Sequence, residues 1–494
     1  MTGQPHDAAP RQQLSLLDST CIIVGIIIGA SIYESSPFIA QNASAAAVKL
    51  VGQWREFNQQ APLSLSGQAT VSQLAIIGVW LLGGVLALIG ALCYAELATA
   101  WPDAGGSYFF ISRAFGKTLG FAFAWCEFWI IRPGNVGAIA FVFAVYAMKL
   151  VTPDAPPDTP LDPASVKATY SVAPALLAAG AITLLTITNL LGLQIGKWTQ
   201  NVLALLKVAG LAVIILVAFT LTPPESVATT KPAGEGSLGL ALVLVMFAYG
   251  GWSDMSYVAA EVKNPAKNIT RALLLGTLAV TVIYLLINIA FARGLGLGGF
   301  FSSQGVASDV LSTRFGPWGA RAISLLICIS CLGAINGTIF AGARVCYALG
   351  VKDPLFAWLG KWNEQLGVPI RATVMQAAVT IALVIGFGLR EGGFKSLVIF
   401  TSPFFWGFFV LVGLALIVLR DREPDRPRLF RLPLFPILPA IFCLSSGYMM
   451  LSSIDYVSRN LAWEASWAVL VLISGFAVAW WRSSRASGRS AESV

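Results

Sequence analysis

Charge is scarce in this sequence. Of 494 residues only 11% are Asp, Glu, Lys or Arg, while 56% are hydrophobic. A soluble domain needs more polar surface than that to face water. Histidine is nearly absent: His6, in the polar N-terminal stretch, is the only one. That excludes a His-based metal or catalytic site in the apolar body. Cysteine spacing supplies no framework either. The seven cysteines, Cys21, Cys93, Cys126, Cys328, Cys331, Cys346 and Cys443, fall in or beside apolar runs. Cys328 and Cys331 form a lone C-x-x-C with no second pair nearby. They read as small packing residues rather than a metal or redox pair. No metal, no cofactor and no covalent chemistry are expected. Met1–Leu14 has no apolar core and no cleavage site, so the first apolar segment is expected to insert as an uncleaved anchor.

What the chain has instead is long apolar runs. Spanning a bilayer takes roughly 20 apolar residues in a helix. About twelve such runs occur, centred on Ile27, Leu86, Trp129, Leu184, Val213, Val245, Tyr284, Ile329, Leu383, Gly407, Cys443 and Leu472. The expected fold class is therefore an all-α polytopic membrane protein, and no further soluble domain fits between the spans. The net charge of +8 would suggest a nucleic-acid partner in a soluble protein. Here the basic residues lie in short connections, so topology explains them and no nucleic acid is expected. One side collects Arg113, Lys117, Lys197, Lys263, Lys267, Arg271, Lys352, Lys361 and Arg371. Arg420, Arg422, Arg426, Arg428 and Arg431, and the tail Arg482, Arg485 and Arg489, join them. The opposite side includes the acidic, proline-rich loop 152–165. Both termini are expected to be cytoplasmic, in a plasma membrane or a bacterial inner membrane. The connection from Gln41 to Ser72 reads as a structured outer loop.

Two apolar segments interrupt themselves. Val24–Pro37, "VGIIIGASIYESSP", carries Gly25, Gly29-Ala30-Ser31, Glu34 and a proline. Leu244–Val262, "LVMFAYGGWSDMSYVAAEV", carries Gly250-Gly251, Ser253 and Asp254. They occupy the first and sixth spans, and matched breaks in two halves mark an inverted-repeat transporter. Unwound backbone survives in a membrane only when buried in protein or lining a wet cavity. Unwinding frees N–H groups, which attract an anion, and C=O groups, which attract a cation. A site offering both suits a zwitterion such as an α-amino acid. One Gly pair alone would mean only close helix packing; two matched breaks favour transport. Leu at position 250 is expected to crowd the carbonyls of the break.

The intramembrane charges are weighed the same way. Lys207 stands about ten residues in from Lys197, roughly 15 Å deep at helical rise, too deep for easy snorkelling. A functional role is expected. Arg132 is expected to pair with Glu127 as a structural ion pair, with a gate as the alternative. Glu96 reads as structural at a cytoplasmic helix end. For Asp254 three uses stay open: a salt bridge to another helix, a contact to a cationic or polar substrate side chain, or a proton site. It is expected in the unwound segment or its first following turn, near the cavity.

These stretches together resemble the amino acid–polyamine–organocation superfamily, and within it the L-type amino acid transporters. The resemblance rests on "IIIGASIY", "GALCYAELATAWPDAGGSYFFISRAFG", "EFWIIRPGNVGAIAFVFAVY", "FAYGGWSDMSYVAAEVKNPAKNITRAL", "CLGAINGTIFAGARVCYALG" and "RPRLFRLPLFPILP". It implies a LeuT-type 5+5 inverted repeat plus two helices. The implied divisions are a tail 1–14, repeats 15–222 and 236–421, helices 11 and 12 in 434–482, and a tail 483–494. The implied activity is α-amino-acid transport by alternating access, sodium-independent, as exchange or facilitated transport, and no enzyme activity. Backbone N–H groups around Gly29, Ala30 and Ser31 would hold the substrate carboxylate. Carbonyls of Ile27, Phe247 and Gly250 would hold its ammonium. The Phe247 ring would be the outer gate, with Ser253 beside the pocket and Asn135 and Phe405 at side-chain positions. Lys207 would take the place of a sodium ion. Ser31 and Asp254 depart from the family pattern, which keeps an amine, polyamine or cationic amino acid open as the alternative substrate. The loop 151–170 has no cysteine, so no disulfide-linked accessory subunit is expected. A transport-dead nutrient sensor is the rival from another class, and the short tail "RSSRASGRSAESV" argues against it.

Overall fold

Serine caps start the helices that build the centre of the protein. In the computed structural model Ser15 and Asp18 form a reciprocal capping box at the start of α1, Leu16–Ile27. Ser64 caps α4 and Ser237 caps α10 through the N–H groups of Gly67 and Leu240. The structure describes residues 10–151, 172–221, 236–303, 305–388, 393–459 and 463–491. His6 and all but the first residue of the loop 151–170 lie outside the described residues.

After α1 come α2 (Ser31–Glu34), α3 (Ser36–Phe57), α4 (Leu65–Ala100), α5 (Ser107–Phe115), α6 (Lys117–Cys126) and α7 (Arg132–Val151). Then follow α8 (Ala173–Leu190), α9 (Leu193–Thr220), α10 (Leu238–Ala248), α11 (Pro265–Ser302), α12 (Val306–Phe315) and α13 (Pro317–Lys352). The chain ends with α14 (Ile370–Gly388), α15 (Gly393–Arg422), α16 (Ile437–Arg459) and α17 (Trp463–Ala491). Among the described residues, 10 helical stretches are long and apolar enough to cross a membrane, and Leu16–Ile27 and Ser466–Trp481 are shorter apolar helices. All twelve expected centres lie within these stretches.

Two boundaries differ from expectation. Gln41–Ser72 is no loop: α3 runs to Phe57 and α4 starts at Leu65. The segment "IAQNASAAAVKLVGQWREF" has no proline and is rich in alanine, so the helix simply continues. Likewise α17 extends through the expected tail to Ala491.

The third span contains a π-helical turn, Glu127–Ile131, between α6 and α7, with the Arg132 N–H donating to Glu127 O. Pro133 follows at once and lacks an N–H for the preceding turn, which a widened turn accommodates. A short helix precedes this span and another precedes α13. They are α5, ending "SRAFG", and α12, ending "STRFG". Gly116 and Gly316 close them with positive φ, each donating to the serine carbonyl four residues back, at 3.0 and 2.9 Å. The two halves thus repeat a structural device as well as a helix count.

Packing sorts the helices into two groups. One joins α1, α4, α10 and α11; the other joins α7, α8, α13 and α14. α9 touches both, against α1, α11 and α13, and α1 itself also packs on α13.

The breaks fall at 28–30 and 249–251. Gly251 has φ +120°, a conformation L residues avoid, and a Cβ there would sit 2.5 Å from Ile26 Cγ2. At Gly250 a Cβ would meet only the Phe247 carbonyl oxygen, at 3.3 Å. Position 250 does face a break carbonyl, but 251 is where glycine is required. Gly251→Ala should therefore cost about 1–2 kcal/mol in backbone strain alone. It should lower the melting temperature in detergent clearly more than Gly250→Ala does. Equal melting curves for the two variants would contradict this assignment.

Candidate functional site

The two breaks meet at one cavity of about 640 Å³. Its wall contains Ile27, Gly29, Ala30 and Ser31 from the first break and Phe247, Gly250, Ser253 and Asp254 from the second. Asn135 from α7 and Phe405 from α15 complete the set read from the sequence. All ten candidate contact residues share this space. Lys207 lies behind it.

Beyond the first break α2 and α3 run on through Ser35, whose φ and ψ of −85° and −16° are helical. At the start of that helix the N–H groups of Ala30, Ser31 and Ile32 donate to no other described backbone group. These are the orphan donors of a helix N-terminus, and they favour an anion. The carbonyl side is more occupied. Ile27 O accepts from the Gly29 N–H at 2.8 Å and from the Tyr284 hydroxyl at 3.1 Å. Tyr284 also reaches Ala248 O, at 3.2 Å, so one phenol from α11 bridges the ends of α1 and α10.

Lys207 is fully buried. Its Nζ donates to Gly25 O and Ile28 O, both at 2.8 Å, and to Ser330 O at 2.9 Å. All three ammonium protons are used, on carbonyls from α1, the break and α13. Ser330 Oγ adds a bond to Ile28 O at 3.0 Å. Gly333 gives the ammonium room, since a Cβ there would lie 2.9 Å from Nζ.

Asp254 sits in a 3₁₀ turn, Trp252–Ser256, directly after the second break, and is buried at the cavity wall. Arg132 clasps it from α7, Nη1 to Oδ2 at 2.7 Å and Nη2 to Oδ1 at 3.1 Å. The same guanidinium donates to Glu127, from Nε at 2.9 Å and also from Nη2. So Arg132 serves Glu127, as expected, and Asp254 as well. Tyr257 lies under the guanidinium, 5.0 Å from its ring centroid. Further along the cavity Glu34 faces the Tyr146 hydroxyl and Lys149. The Phe247 side chain is 40% exposed and borders the cavity.

The cavity reaches Gly239 and Leu240 at the start of α10 and Ser452, Ser453, Tyr456 and Val457 on α16. The opposite face is closed. Gln13 and Leu14 donate to Glu261 O at 2.7 and 2.8 Å, and Lys263 N–H returns a bond to Leu14 O at 2.8 Å. Arg344 on α13 holds the Glu261 carboxylate at 2.7 and 2.9 Å.

Tyr284, Tyr257 and the Arg344–Glu261 pair were not singled out from the sequence. A tyrosine in the middle of an otherwise apolar span was the available signal for Tyr284, because a phenol there must find an acceptor.

Residues 14–476 match the family model described as amino acid permease. The chain is 28% identical to the b(0,+)-type amino acid transporter 1 of Mus musculus, covering 94% of this chain and 86% of that protein. It is 28% identical to the cystine/glutamate transporter of Homo sapiens, over 90% and 80% of the two chains. With the large neutral amino acids transporter small subunit 2 of Rattus norvegicus it shares 27% identity, over 90% and 76%. With the match running from the capped start of α1 to the last apolar helix, the chain belongs to the amino acid permease family.

Proposed function

We propose that this protein moves α-amino acids across a membrane by alternating access, without sodium. The observation that carries the proposal is the single cavity shared by two broken helices, with unpaired N–H groups on one side and carbonyl ends on the other. The N–H groups at Ala30 and Ser31, with Gly29 leaving space, suit the substrate carboxylate. The ammonium suits the carbonyls of Phe247 and Gly250 more than that of Ile27, which already accepts two bonds. Phe247 is the proposed outer gate. Ser253, Asn135 and Phe405 surround the side chain. Lys207 stands in for a cation, because a bound sodium would use the same kind of carbonyl cage. By the distribution of Lys and Arg, both termini and the closed face are assigned to the cytoplasm, so the cavity opens outward. The membrane is a plasma or bacterial inner membrane.

A second reading keeps the mechanism and changes the substrate to a cationic amino acid, an amine or a polyamine. It draws on the three carboxylates at the cavity wall, Glu34, Glu127 and Asp254, set against Arg132. We retain the expectation that no accessory subunit is disulfide-linked through loop 151–170, which has no cysteine. One relative is named as a small subunit, so an assembly held by other means stays compatible with this proposal.

Counterflow into liposomes tests the proposal. Labelled alanine, leucine, lysine and glutamate should be compared with and without sodium. Neutral or cationic substrates should exchange at equal rates in both salts, while a strict sodium requirement would refute the assignment of Lys207. Lys207→Ala takes the ammonium from three buried carbonyls, of which Ile28 O keeps the Ser330 hydroxyl, at about 1–3 kcal/mol for each one left unsatisfied. It should slow exchange at least tenfold while changing substrate affinity only a few-fold. Unaltered exchange would remove the proposed role.

A further inference from the structure

Arg132 is one cation held by two carboxylates. Among the described residues it forms the ion pairs of both Glu127 and Asp254, and no other cation pairs with either. All three side chains are at most 8% exposed. With both acids ionised the cluster carries a net charge of −1 inside the protein, which is strongly disfavoured. With one proton added it is neutral.

The remaining neighbours do not supply a balancing charge. Tyr257 lies under the guanidinium, and Tyr94 of α4 reaches the cluster electrostatically. Ser107 links the two phenols, at 3.0 and 3.4 Å. Cys126 of α6 adjoins Glu127 in the chain, Cys346 of α13 packs in one cluster with Phe128, and Gln376 of α14 approaches Arg132 across Gly342. Phenols, thiols and amides carry no positive charge. Lys207 is committed to its three carbonyls, and Lys149 lies over the Tyr146 ring, 5.0 Å from its centroid.

The cluster also joins the two helix groups. Asp254 belongs to the 3₁₀ turn packed on α1, α4 and α11, whereas Arg132 and Glu127 belong to the third span, packed on α8, α13 and α14. Alternating access moves one such group against the other. Separation would strand an ionised Asp254, while Arg132 keeps Glu127. We propose that Asp254, Arg132 and Glu127 form a proton-operated latch, so that the transporter carries one proton with its substrate. This rests on the transport reading above. Asp254 takes a proton from water in the open cavity and becomes a carboxylic acid. Its ion pair with Arg132 is replaced by a weaker neutral hydrogen bond, and Arg132–Glu127 remains as a neutral pair. Once the Arg344–Glu261 seal at the closed face also opens, the helix groups part and the proton leaves to water on that side. A substrate ammonium is a poorer neutraliser than a proton. Both Asp254 oxygens already face Arg132, and a cationic side chain would have to displace the guanidinium.

The test separates counterflow, which reads transport, from accumulation driven by a pH gradient, which reads the latch. The probes are labelled alanine, leucine and lysine in proteoliposomes. For one proton per substrate, wild type should accumulate label up to about tenfold per unit of inward proton gradient. Uptake should fall as the outer pH rises, because fewer protons are then available to travel with the substrate. Asp254→Asn should lose the gradient-driven accumulation, and whatever counterflow it retains should no longer respond to a proton gradient. Glu127→Gln makes the cluster neutral without a proton and should lose the accumulation too, which covers the case where one variant does not fold. A pH dye trapped in the lumen should report acidification when alanine or leucine is added to wild type. Accumulation that persists in Asp254→Asn overturns the latch, and so does wild-type counterflow without gradient response or lumenal acidification. Selective loss of lysine in Asp254→Asn, with the gradient response kept, also overturns it and assigns the acid to substrate side chains. Absence of counterflow for every probe in wild type would instead refute the transport reading itself.

Discussion

A bilayer offers no water to a broken helix, and most of this structure answers that constraint. Two spans unwind near the middle of the protein, and each frees backbone groups that hydrocarbon cannot satisfy. The missing partners come from elsewhere in the chain. Lys207 of α9 covers Gly25 O and Ile28 O, Ser330 of α13 reaches Ile28 O and Gly29 O, and Tyr284 of α11 covers Ile27 O and Ala248 O. Each buried carbonyl left without a donor would cost on the order of 1–3 kcal/mol. The break is therefore a built object held from three helices. What those helices leave uncovered, the N–H groups of Ala30 and Ser31, is what faces the cavity.

The buried charges divide by how completely they are answered. Glu96 receives Arg420 at 2.9 and 2.8 Å, Arg428 at 3.3 Å and the Leu432 N–H at 2.7 Å. It ties α4 to α15 and to the connection before α16, and nothing about it is left for chemistry. Glu261 is matched one to one by Arg344 and holds the closed face. The cluster at Arg132 differs in both respects: its acids outnumber its base, and it borders the cavity. A structural ion pair gains by being complete, because an uncompensated buried charge is costly. Incompleteness at the cavity wall is thus the mark of a group that changes state.

Much of the architecture was legible because helical spans and their breaks are local patterns. Twelve apolar centres, the Gly-marked breaks and the depth of Lys207 needed only spacing and hydropathy. Eight of the ten candidate residues converge because two breaks in matched spans of an inverted repeat must face each other, while Asn135 of α7 and Phe405 of α15 rest on the family resemblance. The misses are non-local or concern geometry. Asp254 and Arg132 are far apart in sequence, and no spacing rule joins them. Glu127–Arg132, by contrast, was expected, although on a regular α-helix five residues turn the side chain by roughly 140°. The π-turn removes that offset, and sequence alone does not announce it. The run from Gln41 was misread from its polarity, although its alanine content carried the better signal. The matching "SRAFG" and "STRFG" ends lie outside the apolar runs, so hydropathy does not mark them.

The same geometry explains why the cavity opens on one face. Leu14 and Val262 pair where the start of α1 meets the end of the broken sixth span, and the bonds from Gln13 and Leu14 to Glu261 O are main-chain bonds. Such bonds depend little on side-chain identity, so closure there is a property of the two backbones meeting. Arg344 adds a buried charge contact to that seal from the second helix group, through Glu261. At mid-depth the first group is tied to the second through Asp254 and Arg132. Two cross-group ion pairs, one at the closed face and one at the cavity, therefore lie in series along the sixth span, with Glu261 seven residues beyond Asp254. Releasing the inner pair alone leaves the seal intact, and breaking the seal alone leaves Asp254 clamped. Opening the closed face requires both, which makes the charge state at the cavity a condition on access at the far side.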